Sequence, residues 1–159
     1  DKNVFISAIY AILNLETERI VLARAGHCPA AIVRLNGEAR YIRTRGLGLG
    51  LDRGSLFQQS LTQESISLDP GDVLVFYTDG VVESRDAEGE EYGYDRLLSI
   101  LKEYRHEDAD GLHSAVLRDL RGFIGSAEYD DDMTLVVVKW HGVPIDTLLT
   151  STQSVKEST

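Results

Sequence analysis

The stretch Val73–Thr78 (VLVFYT) is apolar on both of its faces. Side chains of an extended chain alternate between the two sides of a sheet, so a strand of this kind must be covered above and below. That requirement restricts the chain to a layered fold with this strand at its centre. Both ends of the stretch are marked. Asp69-Pro70-Gly71-Asp72 precedes it as a turn, in which Pro presets φ and Gly supplies a positive φ. Asp79-Gly80 closes it.

The flanking segments supply the layers. Residues 4–13 (VFISAIYAIL) are rich in β-branched and aromatic residues and are expected to form a buried strand. Arg19–Ala25 follows a short polar connection and reads as its hairpin partner. Pro29–Leu35 and Glu38–Thr44 flank Asn36-Gly37, a pair that tolerates positive φ at both turn positions, so a second hairpin is expected. Gly46, Gly48 and Gly50 alternate with leucines but do not lead into a helix, which favours a bent, closely packed connection over a phosphate-cradling loop. Residues 56–68 read as a long, mostly exposed strand. Leu97, Leu98, Leu101 and Tyr104 fall at helical spacing, as do Leu112, Val116, Leu120, Phe123 and Ile124. Asp108 or Asp110 is placed to cap the second of these helices. Met133–Trp140 is expected to be another buried strand. Strands, then a helix pair, then a strand give an α+β layered fold. Residues 1–142 form one domain in this reading, and 143–159 a frayed Ser/Thr-rich tail.

Composition narrows the partners. A chain of 159 residues with 43% apolar content can bury an ordinary core. No apolar run approaches the ~20 residues of a membrane-spanning helix. The N-terminus has no basic start followed by an apolar stretch, so no secretion signal is read. It opens without Met directly on an apolar segment, as a fragment of a longer protein would. The single cysteine, Cys28, allows no intramolecular disulfide and points to a reducing, cytoplasmic setting. With Pro29 and Ala30 after it and no evident base, Cys28 reads as a packed thiol rather than a nucleophile. A formal charge of −10 repels phosphate backbones and anionic lipid, which argues against nucleic acid and membrane partners.

Acids stand at the ends of two apolar strands: Asp79 after Val73–Thr78, and Asp130-Asp131-Asp132 before Met133–Trp140. Each alone reads as a turn or cap. Brought to one sheet edge, the carboxylates would repel and raise each other's pKa unless a cation neutralised them. All-oxygen ligands favour a hard cation, Mg²⁺ or Mn²⁺, which can lower the pKa of water enough to supply hydroxide near neutral pH. Spacing alone does not decide whether the two acidic sites meet. No histidine pair has a zinc spacing, and no serine sits in Gly-x-Ser-x-Gly.

The run from Leu68 to Ser84 (LDPGDVLVFYTDGVVES) closely resembles the signature of SpoIIE/RsbU-like phosphatases of the PPM type. The similarity continues through Ala87–Gly93 and Arg96-Leu97-Leu98. Ala25-Gly26-His27-Cys28-Pro29-Ala30 resembles the family's Ala-Gly-His-x-Pro turn, and Asp131-Asp132-Met133-Thr134 its Asp-Asp-x-Thr motif. The resemblance implies a PPM-type α-β-β-α sandwich of two packed, mainly antiparallel sheets between helical layers, here with the N-terminal portion missing. It implies hydrolysis of phosphoserine or phosphothreonine by water activated at a two-metal centre of Mn²⁺ or Mg²⁺, with no side-chain nucleophile. By position, Asp79 and Asp131 are the expected metal ligands, and Asp132 and Gly80 are expected to support them. Residues 83–93 would form a loop beside the site. The implied substrate is a phosphorylated protein, such as an anti-sigma-factor antagonist. The family's Asp-x-Ser-Gly-His-Gly segment is absent, so the isolated chain is expected to be inactive or nearly so. Missing strands would also leave sheet edges open, through which a second copy could pair as a homodimer. The rival expectation is a non-catalytic signalling module of the same fold that binds a regulatory partner.

Overall fold

The computed structural model of the chain describes residues 4–52, 54–126 and 131–142. The both-faced strand is central as required: β6 (Val73–Tyr77) lies between β3 (Ala30–Val33) and β7 (Leu135–Lys139), with β4 (Ala39–Ile42) beyond β3. All pairings in this four-stranded sheet are antiparallel. A second, three-stranded antiparallel sheet is ordered β1 (Ala8–Asn14), β2 (Arg19–Ala25), β5 (Gln63–Ser67).

The alternation along β6 builds two cores. Val73, Val75 and Tyr77 pack with Leu97 and Leu101 of α3 (Tyr94–Glu103) and Leu112, Val116 and Leu120 of α4 (Ala109–Ile124). Leu74, with Ile32 and Ile42 from its own sheet, packs instead against Ile20, Leu22 and Ile66 of the other sheet. The layers are therefore three-stranded sheet, four-stranded sheet, helices. Among the described residues a helical layer covers one outer face, and the outer face of the three-stranded sheet is bare.

That bare face corrects the expectation for residues 4–13. The strand begins at Ala8 and is not buried. Ile9 and Leu13 face the core, while Tyr10 is 69% and Ile12 53% exposed. The uniform apolar composition calls for cover on two faces, and the described residues cover one. Val4, Phe5 and Ile6 are also exposed, although Ile6 makes a bridge to Leu49. At the far edge of the other sheet, β7 is shorter than expected and only partly buried, with Val136 47% exposed.

The long strand expected over residues 56–68 is two elements, a short helix α1 (Leu56–Ser60) and then β5. Local side-chain bonds explain the break. The Asp52 carboxylate accepts from the Gly54 and Phe57 amides, and the Ser60 hydroxyl donates to the Phe57 carbonyl. Such bonds offer the backbone an alternative to the sheet ladder. The Asn36-Gly37 hairpin forms, but only Gly37 takes a positive φ, of 93°. Its amide reaches the Arg34 carbonyl at 2.9 Å, which makes a three-residue loop rather than the two-residue turn that needs positive φ twice. The glycine-leucine stretch is a close-packed connection as read: a Cβ on Gly46 would lie 2.0 Å from the Arg24 carbonyl oxygen. Asp108, not Asp110, caps α4 by accepting from the Gly111 amide at 2.7 Å. The tail 143–159 lies outside the described residues.

The two long helices are joined across their exposed side by Arg96 and Asp119, paired at 2.8 and 2.9 Å. Arg96, with help from the Tyr92 hydroxyl and against the effect of burial, holds the Asp119 carboxyl below the usual carboxylate range. A carboxyl group lowered on folding adds stability above its unfolded pKa and loses that contribution as pH falls through its folded pKa. Asp119→Asn should therefore cost about 1 kcal/mol near neutral pH, the partly exposed pair being screened by solvent. Thermal melts of both proteins should converge as pH falls below about 4.

Candidate metal centre

Asp79 opens a one-turn helix, α2 (Asp79–Val82), directly after β6. Val81 and Val82 are each 1% exposed within the helical core, and burying each contributes on the order of 1.5–3 kcal/mol. Their anchorage leaves Asp79 at the rim of the sheet. The Thr78 hydroxyl, which could have capped α2, is used elsewhere. It donates to the Asp132 carbonyl at 3.1 Å and accepts from the Thr134 amide at 2.9 Å. The Thr78 amide also reaches the Thr134 carbonyl at 3.1 Å. These bonds continue the β6–β7 ladder, in which Tyr77 faces Leu135, and draw residues 131–134 against the start of α2.

Gly80 permits the contact. A Cβ there would stand 2.7 Å from the Asp132 carbonyl oxygen, inside any tolerable separation. The buried Ser84 hydroxyl donates to the Gly80 carbonyl at 2.5 Å and touches the Met133 sulfur at 3.6 Å. Asp79 and Asp131 thus stand at one end of the β6–β7 pair, each one residue from the Gly80–Asp132 approach. Each has one carboxylate oxygen engaged locally, Asp79 with the Gly80 amide at 3.2 Å and Asp131 with the Asp132 amide at 2.8 Å. The second oxygen of each accepts no hydrogen bond among the described residues. Asp132 contributes its carbonyl to the clasp, and its carboxylate is exposed. Asp130 lies outside the described residues.

Two hollows meet at this rim. One of about 430 Å³ is lined by Asp79, Thr78, His27, Cys28, Glu83 and Tyr94, and another of about 250 Å³ by Gly80, Glu83, Ser84, Arg85 and Asp131. Glu83 is common to both, and sequence reading had assigned it only to the adjoining loop. The signal was available, since Glu83 lies four residues after Asp79, one helical turn on, and its amide bonds the Asp79 carbonyl at 2.9 Å. His27, Cys28 and Tyr94 reach the cleft only because β3 and α3 begin near the end of β6, which no local spacing reveals. The loop over residues 83–93 is pinned by an Arg85–Glu91 ion pair at 2.5 Å. A larger hollow of about 620 Å³ lies at the opposite end of β6, beside Arg34 and Asp72. There the Asp72 carboxylate already accepts from Arg34 and from the Asp69 amide, which makes it a structural clamp on the turn.

The electrostatics fit a cation at the rim. Burial, first of all, raises the Cys28 thiol above its ordinary pKa; contact with the Tyr94 hydroxyl opposes this, and the charges of Asp79 and Glu83 add to it. Cys28 therefore stays a protonated, half-buried thiol at neutral pH, with none of the thiolate character of a nucleophile. The charges of Asp79 and Glu83 thus reach Cys28, where the Arg24 charge opposes them. The donor set is hard oxygen, suited to Mg²⁺ or Mn²⁺. Among the described residues, however, no three acidic, histidine or cysteine side chains converge closely enough to hold an ion by themselves. The fit is that of a partial ligand set.

The clasp is open to direct test. Gly80→Ala should force residues 131–132 outward and destabilise the chain by about 1–3 kcal/mol. Thr78→Val, which leaves the Asp132 carbonyl and Thr134 amide without their partner, should cost a similar amount. Urea unfolding midpoints measure both, with Thr78→Ser expected close to the parent.

Comparison with known proteins places this geometry. Residues 1–141 match the family described as Stage II sporulation protein E (SpoIIE). The chain is 27% identical over 138 residues to Protein IcfG of Synechocystis sp., covering 87% of this chain and 21% of that protein. It is 26% identical over 140 residues to phosphoserine phosphatase RsbU of Bacillus subtilis, covering 87% of this chain and 40% of that protein. Among solved structures it resembles the SiaA-PP2C domain of Pseudomonas aeruginosa, with a TM-score of 0.73 at 16% identity over 84% of this chain and 51% of that one. It also resembles the phosphatase domain of SpoIIE from Bacillus subtilis, with a TM-score of 0.65 at 20% identity over 87% of this chain and 58% of that one. The chain thus spans less than half the length of these two sequence relatives. The fold is the α+β PPM fold with part of the domain not represented, and the chain belongs to the SpoIIE family of PP2C-type phosphatase domains.

Proposed function

We propose that this chain is the C-terminal portion of a metal-dependent phosphatase domain that hydrolyses phosphoserine or phosphothreonine on a bacterial regulatory protein. The observation that supports the proposal is that Asp79 and Asp131 stand at the same end of the β6–β7 pair, lining two hollows that share Glu83, each with one carboxylate oxygen that accepts no hydrogen bond among the described residues. In this reading Asp79 and Asp131 hold Mn²⁺ or Mg²⁺. Gly80 leaves room for the Asp132 backbone, and Asp132 with Thr78 keeps Asp131 in place. A bound ion of this class supplies Lewis acidity and lowers the pKa of water. The protein's part is to fix the carboxylates on a buried strand end and to keep Cys28 protonated and out of the chemistry.

Two acids at one strand end, all that the described residues place there in this reading, are fewer than a bridging site requires, so the isolated chain binds the ion weakly and is inactive or nearly so; further ligands come from elsewhere in the full-length protein. The substrate is a phosphorylated protein met in the cytoplasm, and an anti-sigma-factor antagonist is the proposed class. RsbU, which matches over most of this chain, is named a phosphoserine phosphatase. No helix of the described residues is long and apolar enough to cross a membrane. That no three metal-binding side chains gather among the described residues also favours a second reading, a PPM-like module that binds its partner without turnover.

Titration calorimetry with Mn²⁺ on the full-length protein, paired with release of phosphate from a phosphoserine peptide, separates the two. Asp79→Ala and Asp131→Ala should each weaken Mn²⁺ binding by at least about tenfold and abolish turnover. Unchanged Mn²⁺ binding in both variants would remove the site assignment. Partner binding without turnover in the parent would favour the non-catalytic module. The 159-residue chain alone should show no measurable turnover.

A further inference from the structure

Arg43 follows β4 directly, at the same end of the four-stranded sheet as Asp79. Ile42 faces Ala30 across β4 and β3, and Ala31 faces Val75 across β3 and β6. Continuing that register places Arg43 level with Tyr77, two strands or about 10 Å away at ordinary strand spacing, with Asp79 two residues further on, about 12 Å from Arg43. Its guanidinium carbon lies 5.6 Å from the Tyr41 ring centroid and 6.0 Å from that of Tyr94. Tyr94 in turn lines the hollow that contains Asp79.

The arginine is not needed to hold this corner together. The Tyr41 and Tyr94 rings already meet edge to face at 5.3 Å, and the Tyr41 hydroxyl donates to the Tyr94 carbonyl at 2.6 Å, tying β4 to α3. Stacking engages the face of a guanidinium and leaves its in-plane N–H donors available. Arg24, Arg34, Arg40, Arg85 and Arg96 spend their donors on carbonyls or carboxylates. Arg43 is exposed and makes no hydrogen bond or ion pair among the described residues. Glu83 and Asp95 are close enough for their charges to be felt at Tyr94 and Tyr41, yet neither forms an ion pair with Arg43. An oriented cation with unspent donors, beside an acidic cleft in a chain of net charge −10, is matched to an anion from outside.

We propose that Arg43 is a specificity residue that receives an Asp or Glu side chain of the phosphoprotein substrate, about three or four residues from the phosphoserine. The spacing follows from geometry: an extended peptide advances about 3.3 Å per residue, so a chain with its phosphoryl group at Asp79 brings its third or fourth neighbour over Arg43. The inference rests on the phosphatase reading for the position of the phosphoryl group.

The test uses the full-length protein with Mn²⁺ and phosphoserine peptides in which a single glutamate is walked along either side of the phosphoserine. Binding is read by fluorescence anisotropy and turnover by phosphate release. The parent should favour glutamate about three or four residues away by about fivefold over alanine. Arg43→Lys should keep part of that preference, and Arg43→Glu should reverse it toward lysine, with thermal melts showing all three proteins folded. A flat profile in the parent, or a preference untouched by Arg43→Glu, overturns the inference and leaves the phosphatase reading standing. An Arg43-dependent preference in binding without turnover retains Arg43 as the selector and removes the phosphatase reading. No binding of any peptide removes both.

Discussion

A strand that is apolar on both sides cannot rest at a surface, and the whole arrangement answers to that constraint in β6. Its odd positions face the helices and its even positions face the second sheet, so the chain needs a cover of each kind. The helix pair provides one and the β1-β2-β5 sheet the other. Because both cores grip the strand, its end is among the best-fixed points in the molecule. A carboxylate placed just beyond it is held by a backbone that both cores already order. Asp79 occupies that place.

The same strand end organises the rim. Thr78 gives up capping a helix in order to hold residues 132 and 134, and Gly80 gives up a side chain so that the Asp132 carbonyl can approach. The result gathers acids at one corner, with the protonated thiol of Cys28 beside them. A negative field of this kind is unfavourable in the free chain, and it is the feature that a divalent cation would relieve. On the flank of the same rim stands a cation, Arg43, beside two tyrosine rings. A corner with a cation-seeking centre and an anion-seeking edge has the polarity needed to orient an acidic phosphopeptide.

Much of this was legible from residue types. The Asp-Pro-Gly-Asp turn, the two amphipathic helices and the central strand follow from local chemistry, because each is decided within a few residues. The failures share one cause. Residues 56–68 carry a strand-like pattern, yet the Asp52 carboxylate and Ser60 hydroxyl capture backbone groups and wind the first part into a helical turn. Residues 4–13 look buried because all but Ser7 are apolar, yet only Ala8, Ile9 and Leu13 are even partly covered. Asn36-Gly37 marks a hairpin correctly but leaves its loop length to the flanking strands, and they place the positive φ at Gly37 alone. In each case the pattern was read properly and the neighbour that decides the outcome was several residues or a whole layer away.

The sequence by itself determined that the chain has a layered α+β fold and that Asp79 and Asp131 each stand beside the end of an apolar strand. Periodicity, turn chemistry and motif order are local properties, and a linear text records them. Only the tertiary structure decided that β6 and β7 are neighbours, which brings the two acids to one corner, that Glu83 lies between the two hollows, and that Arg43 arrives beside them with its donors unspent. Those facts depend on which strands pair and in what register, and pairing across long loops is set by how the two cores pack rather than by any spacing along the chain.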